Sequence, residues 1–230
     1  WLKGISPSEL AALPLVRERL AGVKSARLSS PTASTKELAN TPTLFAQDRQ
    51  PDGGYMAIPE VSSENRRFIP MTFLGSDVIA SNKLLTMTGA THVHFGVLQS
   101  TMHMAWVRHV CGRLESRFSY APSVYNNFPF PKPTDVQRKA IEDAAQGVID
   151  ARAKFPDSSL ADLYDPLAMP PELTKAHAAL DKAVDRAYRP QPFVNERLRM
   201  EFLFKLYQTQ VAPLVQLPRR ASRRTESETN

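Results

Sequence analysis

Residues 126–133, NNFPFPKP, place three prolines at alternate positions among two asparagines and two phenylalanines. Such a run can continue neither a helix nor a central strand, because each proline lacks a backbone donor and fixes its own φ. The chain must therefore cross here in an extended conformation, and the sequence on either side follows different rules. We read the stretch as a hinge with an aromatic-packed crossover, and the fold class as α+β: a mixed α/β domain followed by an all-α module.

Before the crossover, short apolar runs are broken by Pro, Gly, Ser and Asn. Tyr55–Ile58, Arg67–Ile69, Val78–Ile79, Leu84–Met87, Val93–Val97 and Arg117–Tyr120 read as short strands. Two helices are expected among them. One spans Pro7–Leu20, with Ser6 as its cap and Glu9 three residues on. The other spans Gly96–Leu114, where Val97, Thr101, Ala105 and Trp106 fall at helical spacing. Beyond the crossover the pattern is helical throughout. Thr134 and Gln137 form a capping-box signature ahead of Val136, Ala140, Ile141, Ala144 and Val148. Ser159 and Asp162 open a short turn. Pro170-Pro171 seeds a helix with an apolar seam of Leu173, Leu180, Val184 and Ala187, and Asn195 caps a last one carrying Leu198, Phe202 and Leu206. The domains expected are residues 1–132, residues 133–213, and a flexible basic tail over 214–230.

The chain carries a formal +6, unevenly spread. Residues 1–130 hold 13 basic and 9 acidic side chains, residues 131–217 hold 12 of each, and residues 218–230 hold four Arg and two Glu. An excess this small permits a polyanionic partner without demanding one. The single cysteine, Cys111, excludes a disulfide scaffold and suits a reducing, cytoplasmic setting. No apolar run approaches the roughly 20 residues of a membrane helix. Starting at Trp1 without a leader, the chain reads as cut from a longer protein.

No catalytic motif emerges. Asn127-Phe128-Pro129-Phe130 lacks the adjacent prolines, directly after the Asn, with which amino-methyltransferases grip a target amine. Pro51-Asp52 with Glu60, and Pro156-Asp157 with Asp162, lack the lysine two residues after the second carboxylate that would help activate a metal-bound water. Gly53-Gly54 precedes a strand, so it offers no phosphate or cofactor cradle. His92, His94, His103, His109 and Cys111 cluster, but His103 and His109 lie about 240° apart around a helix, and packed or hydrogen-bonded histidines are the simpler reading. No metal site is expected. Trp106, Phe118, Tyr120, Tyr125, Phe128 and Phe130 read as core and crossover packing.

Two segments carry a resemblance. IPEVSSENRRFIPM with FGVLQSTMHMAWVRHVCGRLESRFSYAPSVYNNFPFP, between Ile58 and Pro131, resembles the target-recognition region of MmeI-like (type IIL) restriction–modification enzymes and their methyltransferase relatives. SLADLYDPLAMPPELTKAHAALDKAVDRAY is similar to the helical C-terminal module of the same family. The likeness covers roughly residues 1–212. It implies an upstream domain that transfers a methyl group from S-adenosylmethionine to adenine N6, in some relatives preceded by a nuclease, while this chain selects the sequence in double-stranded DNA. A protein–protein assembly module with no DNA readout is the alternative.

The resemblance places Glu115 and Arg117 at a base-reading surface. In a strand, residues 115, 117 and 119 share a face. Arg suits guanine O6 and N7, and Glu accepts from cytosine N4, so the pair can read one G·C base pair from both sides. Taken by themselves, the two residues read first as a cross-strand or local ion pair on a solvated face, and it is the resemblance that favours base reading. The same correspondence makes Glu60, Asn82 and Lys83 base-facing, and puts Ser119 where relatives often carry a longer polar side chain. Ser62, Ser63, Arg66 and Arg67 are candidates for phosphate contact, or else for local roles in which Ser63 caps a turn and Glu64 pairs with Arg67. Arg108 and Arg113 suit a phosphate grip, and Arg near a helix C-terminus is also favoured by the dipole.

Overall fold

The computed structural model describes residues 2–215, in two compact units that divide between Gln50 and Pro51. From residue 216 on, the expected basic tail lies outside the described residues.

In the first unit Ser6 caps helix α1 (Pro7–Ala11) through a capping box: the Glu9 N–H donates to Ser6 Oγ and the Ser6 N–H donates to the Glu9 carboxylate. The expected single helix over Pro7–Leu20 is broken, however, and α2 (Pro14–Leu28) starts afresh at its own proline. Pro14 has no N–H for the ladder, and its ring collides with the carbonyl four residues back. Helix α3 (Ala33–Glu37) and a 3-10 turn (Leu38–Asn40) return along α2. Arg27, in the last turn of α2, ties the return down by donating to the carbonyls of Leu38, Thr41 and Leu44 at 2.7, 2.9 and 2.8 Å.

The second unit begins with β1 (Tyr55–Pro59) and β2 (Val61–Ser62), followed by β3 (Thr72–Leu74) and β4 (Leu84–Thr88). Helices α4 (His92–Leu98) and α5 (Thr101–Val110) come next, then the hairpin β5 (Gly112–Leu114) and β6 (Arg117–Ser119). Helix α6 (Pro122–Asn126) precedes the crossover, and α7 (Asp135–Ala153), α8 (Leu160–Leu163), α9 (Pro171–Tyr188) and α10 (Glu196–Val215) follow it. The strands form two antiparallel three-stranded sheets, β3-β1-β4 and β2-β6-β5. The architecture is the expected mixed α/β region followed by helices.

Several local expectations fail for physical reasons. Val93–Val97 is helical, inside α4, because an apolar run this short fits strand and buried helix equally and tertiary packing decides. The helix expected over Gly96–Leu114 is interrupted at Gln99-Ser100, where the Ser100 hydroxyl caps α5, and it ends at Val110 so that Gly112–Leu114 can pair as β5. Arg67–Ile69 and Val78–Ile79 lie in loops. A capping box forms as expected at Thr134, the expected short turn at Ser159 also carries one, and the Asn195 side chain accepts from the Leu198 N–H. Val136 is 82% exposed and Ala140 is exposed too, rather than part of the seam, since both lie on the face of α7 turned away from Ile141, Ala145 and Val148.

The crossover is a packed strap and not a hinge. Phe128 is buried edge-on against His103 and Trp106, and the Tyr188 hydroxyl donates to the Pro129 carbonyl at 3.0 Å. The core runs through it without a break: Met56, Phe68, Phe95, Val97 and Leu98 share one cluster with Ile141, Ala145, Val148, Leu173 and Leu180. Closest approach is at Gly96 of α4, where a Cβ would stand 2.8 Å from Ile141 Cγ2 and 3.2 Å from Leu180 Cδ1. A residue with no side chain lets α4 sit directly on α7 and α9.

Candidate nucleic-acid interface

The two sheets meet at Glu60. Its N–H donates to the Lys83 carbonyl at 3.0 Å, and its own carbonyl accepts from the Tyr120 N–H at 2.7 Å. One residue on, Val61 pairs with Ser119, the last residue of the central strand of its sheet. Glu60, Lys83 and Ser119, far apart in sequence, are thus gathered by main-chain bonds at one junction. Asn82 and Lys83 are exposed in the turn entering β4, whose shape is set by Ser81: its hydroxyl accepts from the Lys83 N–H at 3.0 Å and its carbonyl from the Leu84 N–H at 3.0 Å.

Arg117 opens β6 and points to solvent, 46% exposed, while Phe118 turns into the core. Glu115 does not share the strand, contrary to expectation. Leu114 pairs with Arg117, so Glu115 and Ser116 are the two-residue turn of the hairpin. Glu115 has φ 57°, a left-handed conformation at the turn position where glycine is usual. That conformation costs a non-glycine residue about 1–2 kcal/mol. From the turn, its carboxylate (77% exposed) accepts from Arg117 Nη2 at 2.7 Å.

The turn is held from behind. Arg113 Nη1 donates to the Ser116 carbonyl at 3.0 Å and to the Glu64 carboxylate at 3.2 Å, and its guanidinium lies 4.2 Å over the Phe118 ring. Arg113 thus has protein partners at Nη1 and on one face, with its side chain 40% exposed. Arg108 likewise pairs with Glu196 at the start of α10. Glu64 pairs with Arg113 and not with Arg67, which instead reaches Asp181 on α9 at 3.5 Å. Ser63 has its expected local role: its hydroxyl accepts from the Asn65 N–H at 3.3 Å. Ser62 is only 3% exposed, its hydroxyl sealed in the core side of β2, and so is not placed to touch a phosphate. Arg66, partly buried, has no ion-pair partner among the described residues.

The clustered histidines have separate structural duties. His94 accepts from the Thr91 N–H at the start of α4, and His92 packs edge-on against Phe73. His109 bonds back to the Ala105 carbonyl. His103, wholly buried, donates from Nδ1 to the Leu98 carbonyl at 2.9 Å and accepts from the Tyr120 hydroxyl at 3.0 Å; burial lowers its pKa to about 4. Cys111 donates through Sγ to the Ser119 carbonyl, and burial raises its pKa. Gly53 and Gly54 lead into β1 rather than a helix.

Beneath this surface lies a polar lock that the sequence did not announce. Arg152 of α7 is buried and donates to the Tyr164 hydroxyl at 2.9 Å, the Met71 carbonyl at 2.7 Å and Gln99 Oε1 at 2.7 Å. Tyr164 in turn donates to His177 Nε2 at 2.7 Å, and His177 donates from Nδ1 to the Gln99 carbonyl at 3.1 Å. Every proton in this chain has one direction, which requires neutral His177. Burial, followed by the nearby Arg152 charge, lowers its pKa to about 3. The lock joins α7, α8 and α9 to the loop before β3 and to the α4–α5 break.

Comparison with known proteins finds two family models along the chain. The family model of the MmeI target recognition domain matches residues 1–132, and that of the MmeI C-terminal domain matches residues 133–215. DNA methyltransferase A of Bacillus subtilis (strain 168) is 38% identical over 209 residues, 90% of this chain and 24% of that protein. A solved structure of the type IIL restriction–modification enzyme MmeI in complex with DNA is 48% identical, with a TM-score of 0.85, over 92% of this chain and 28% of that one. The chain spans about a quarter of the length of these relatives.

Proposed function

The chain belongs to the MmeI family, with its target recognition and C-terminal domains, and from that premise we propose that it selects the DNA sequence on which a longer restriction–modification polypeptide acts. Residues 1–132 serve as the recognition domain, residues 133–213 as the helical module that backs it, and residues 214–230 as a basic tail. The partner is double-stranded DNA. Methyl transfer from S-adenosylmethionine to adenine N6 belongs to an upstream domain, which flips the target base from the stack. The setting is cytoplasmic.

One observation carries this reading: main-chain bonds gather Glu60, Lys83 and Ser119 at a sheet junction from which the Glu115–Arg117 hairpin projects. A convergence of exposed donors and acceptors on a rigid base is what major-groove readout needs. In the reading, Arg117 donates to guanine O6 and N7, Glu115 accepts from cytosine N4, and Asn82 and Lys83 offer adenine- and guanine-directed groups beside Glu60. Arg66, Arg67 and Ser63 hold the backbone, which positions the protein without reading sequence.

Exchanging the charges tests it. Glu115→Lys with Arg117→Asp, in the full-length polypeptide, should turn the preferred base pair from G·C to C·G at one position, as sequencing of duplexes selected from a randomised pool would report. A bidentate contact is worth about 1–3 kcal/mol of discrimination. Selected sites with an unchanged sequence would remove the pair from the reading surface.

A further inference from the structure

Arg113 was expected to grip phosphate, and its side chain is 40% exposed, yet Nη1 and one face of its guanidinium are engaged by the protein. Nη1 donates both to the carbonyl of Ser116, inside the hairpin turn, and to Glu64, on the Ser63–Arg66 turn. The face of the guanidinium lies 4.2 Å over Phe118, a ring that is itself buried in the core. Planar Arg suits this triple role, because it stacks and donates at once, as a lysine ammonium does not. The turn it holds contains Glu115 in a left-handed conformation without glycine, which needs support from its surroundings. Nothing on Glu115 itself supplies that support, since its carboxylate faces Arg117.

We propose that Arg113, with Glu64, is a positioning clamp for sequence readout: it fixes the Glu115-Ser116 turn, and hence the Glu115–Arg117 pair, in the geometry that discriminates one base pair. The inference rests on the hairpin being a base reader. A phosphate contact contributes equally to every sequence and to the salt dependence of binding. A clamp contributes to neither, and acts on one base position only.

The two roles separate in one experiment on the full-length polypeptide, using selection from a randomised duplex pool and binding to the selected duplex across a salt series. Arg113→Ala should flatten the preference at the single position read by the hairpin by about tenfold, within the range one base contact supplies. Preferences at other positions and the salt slope should hold. Glu64→Gln, a mild change on an exposed turn, should flatten the same position by a smaller factor, and Arg113→Lys should fall between wild type and Arg113→Ala.

Three results overturn the clamp. One is a uniform loss of affinity with the salt slope shallower by about one, the signature of a phosphate contact. Another is an unchanged preference at every position in Arg113→Ala. The third is equal flattening of all positions in both Arg113→Ala and Glu64→Gln, which marks a general structural role. The charge exchange at Glu115 and Arg117 distinguishes the levels. If it leaves the selected sequence unchanged, the hairpin is no reader and the clamp falls with it. If it alters one position while Arg113→Ala alters none, the clamp alone falls.

Discussion

His103 and His177 make the stability of this fold depend on pH above the range where most carboxylates titrate. Both are wholly or nearly wholly buried, and both are held neutral, with pKa values near 4 and near 3 against about 6.5 in an unfolded chain. The sign follows from proton counting. Above about pH 6.5 neither state is protonated and there is no penalty. As pH falls through 6.5 the unfolded chain takes up two protons that the folded chain refuses, so stability falls, and the loss levels off only near the folded values. At pH 5.5 the unfolded histidines are about 90% protonated and the folded ones almost not at all. Each therefore contributes a slope of about 1.2 kcal/mol per pH unit, or about 2 kcal/mol of lost stability between pH 7 and pH 5. Asp181, whose carboxyl burial raises despite its Thr101 N–H and Arg67 partners, acts in the opposite direction. A variant isolates the histidine part. Urea unfolding at half-unit steps from pH 5 to 7 should show the slope between pH 5 and 6 fall by about 1.2 kcal/mol per unit in His177→Gln. Because the slope is read, the damage done by the substitution itself cancels. An identical slope in variant and wild type would refute the assignment of a neutral, buried His177.

The other expectations concern packing. Gly96→Ala should lower stability by about 1 kcal/mol: the helix-propensity gain of about 1 kcal/mol is outweighed by overpacking of 1–3 kcal/mol against the stiff Ile141 methyl at 2.8 Å. Thermal unfolding should register this as a fall of about 2–4 °C, and a rise in melting temperature would show that the helices can part there at little cost. Arg152→Met should cost about 2–4 kcal/mol, because the Met71 carbonyl and Gln99 Oε1 lose their donor in a buried site, offset in part by no longer burying a charge. In that variant the His177 titration should also move upward, visible by NMR of its ring protons, since the Arg152 charge is one of the causes holding it down.

Local signals were readable wherever the physics is local. The boxes at Ser6, Thr134 and Ser159 and the Asn195 cap each depend on residues three apart, and all four form. Strands β1 and β4 were visible from their apolar runs. The helical stretch of Val93–Val97 was not, since its identity depends on Gly96 meeting Ile141 and Leu180. Arg152 falls four residues after Val148 on the buried face of its helix, and its partners lie 12, 53 and 81 residues away, so no short window on the sequence shows what neutralises its burial. At the interface the sequence paired Glu115 with Arg117 correctly but supposed a strand, because no glycine marked the turn. The partners of Arg108 and Arg113 met the same limit: a surface arginine and one paired across the fold look alike until Glu196 and Glu64 are placed.

The ion pairs also bear on whether the hairpin pair could be given up to DNA. Arg199 and Asp185 form a two-point contact with both side chains about 14% exposed, and there a broken pair leaves a buried charge. Such a pair cannot be lent to DNA, because opening it costs about 3–5 kcal/mol. Glu115 and Arg117 meet in solvent, where a pair is worth about 0–1 kcal/mol, so exchanging it for cytosine and guanine edges costs little. Meanwhile the pair keeps both charges compensated before DNA arrives, and so adds nothing to nonspecific attraction. On the proposed reading the hairpin would supply discrimination and the backbone contacts affinity. With only four net positive charges in residues 1–130, that reading predicts modest affinity and a shallow salt slope for DNA binding by this chain.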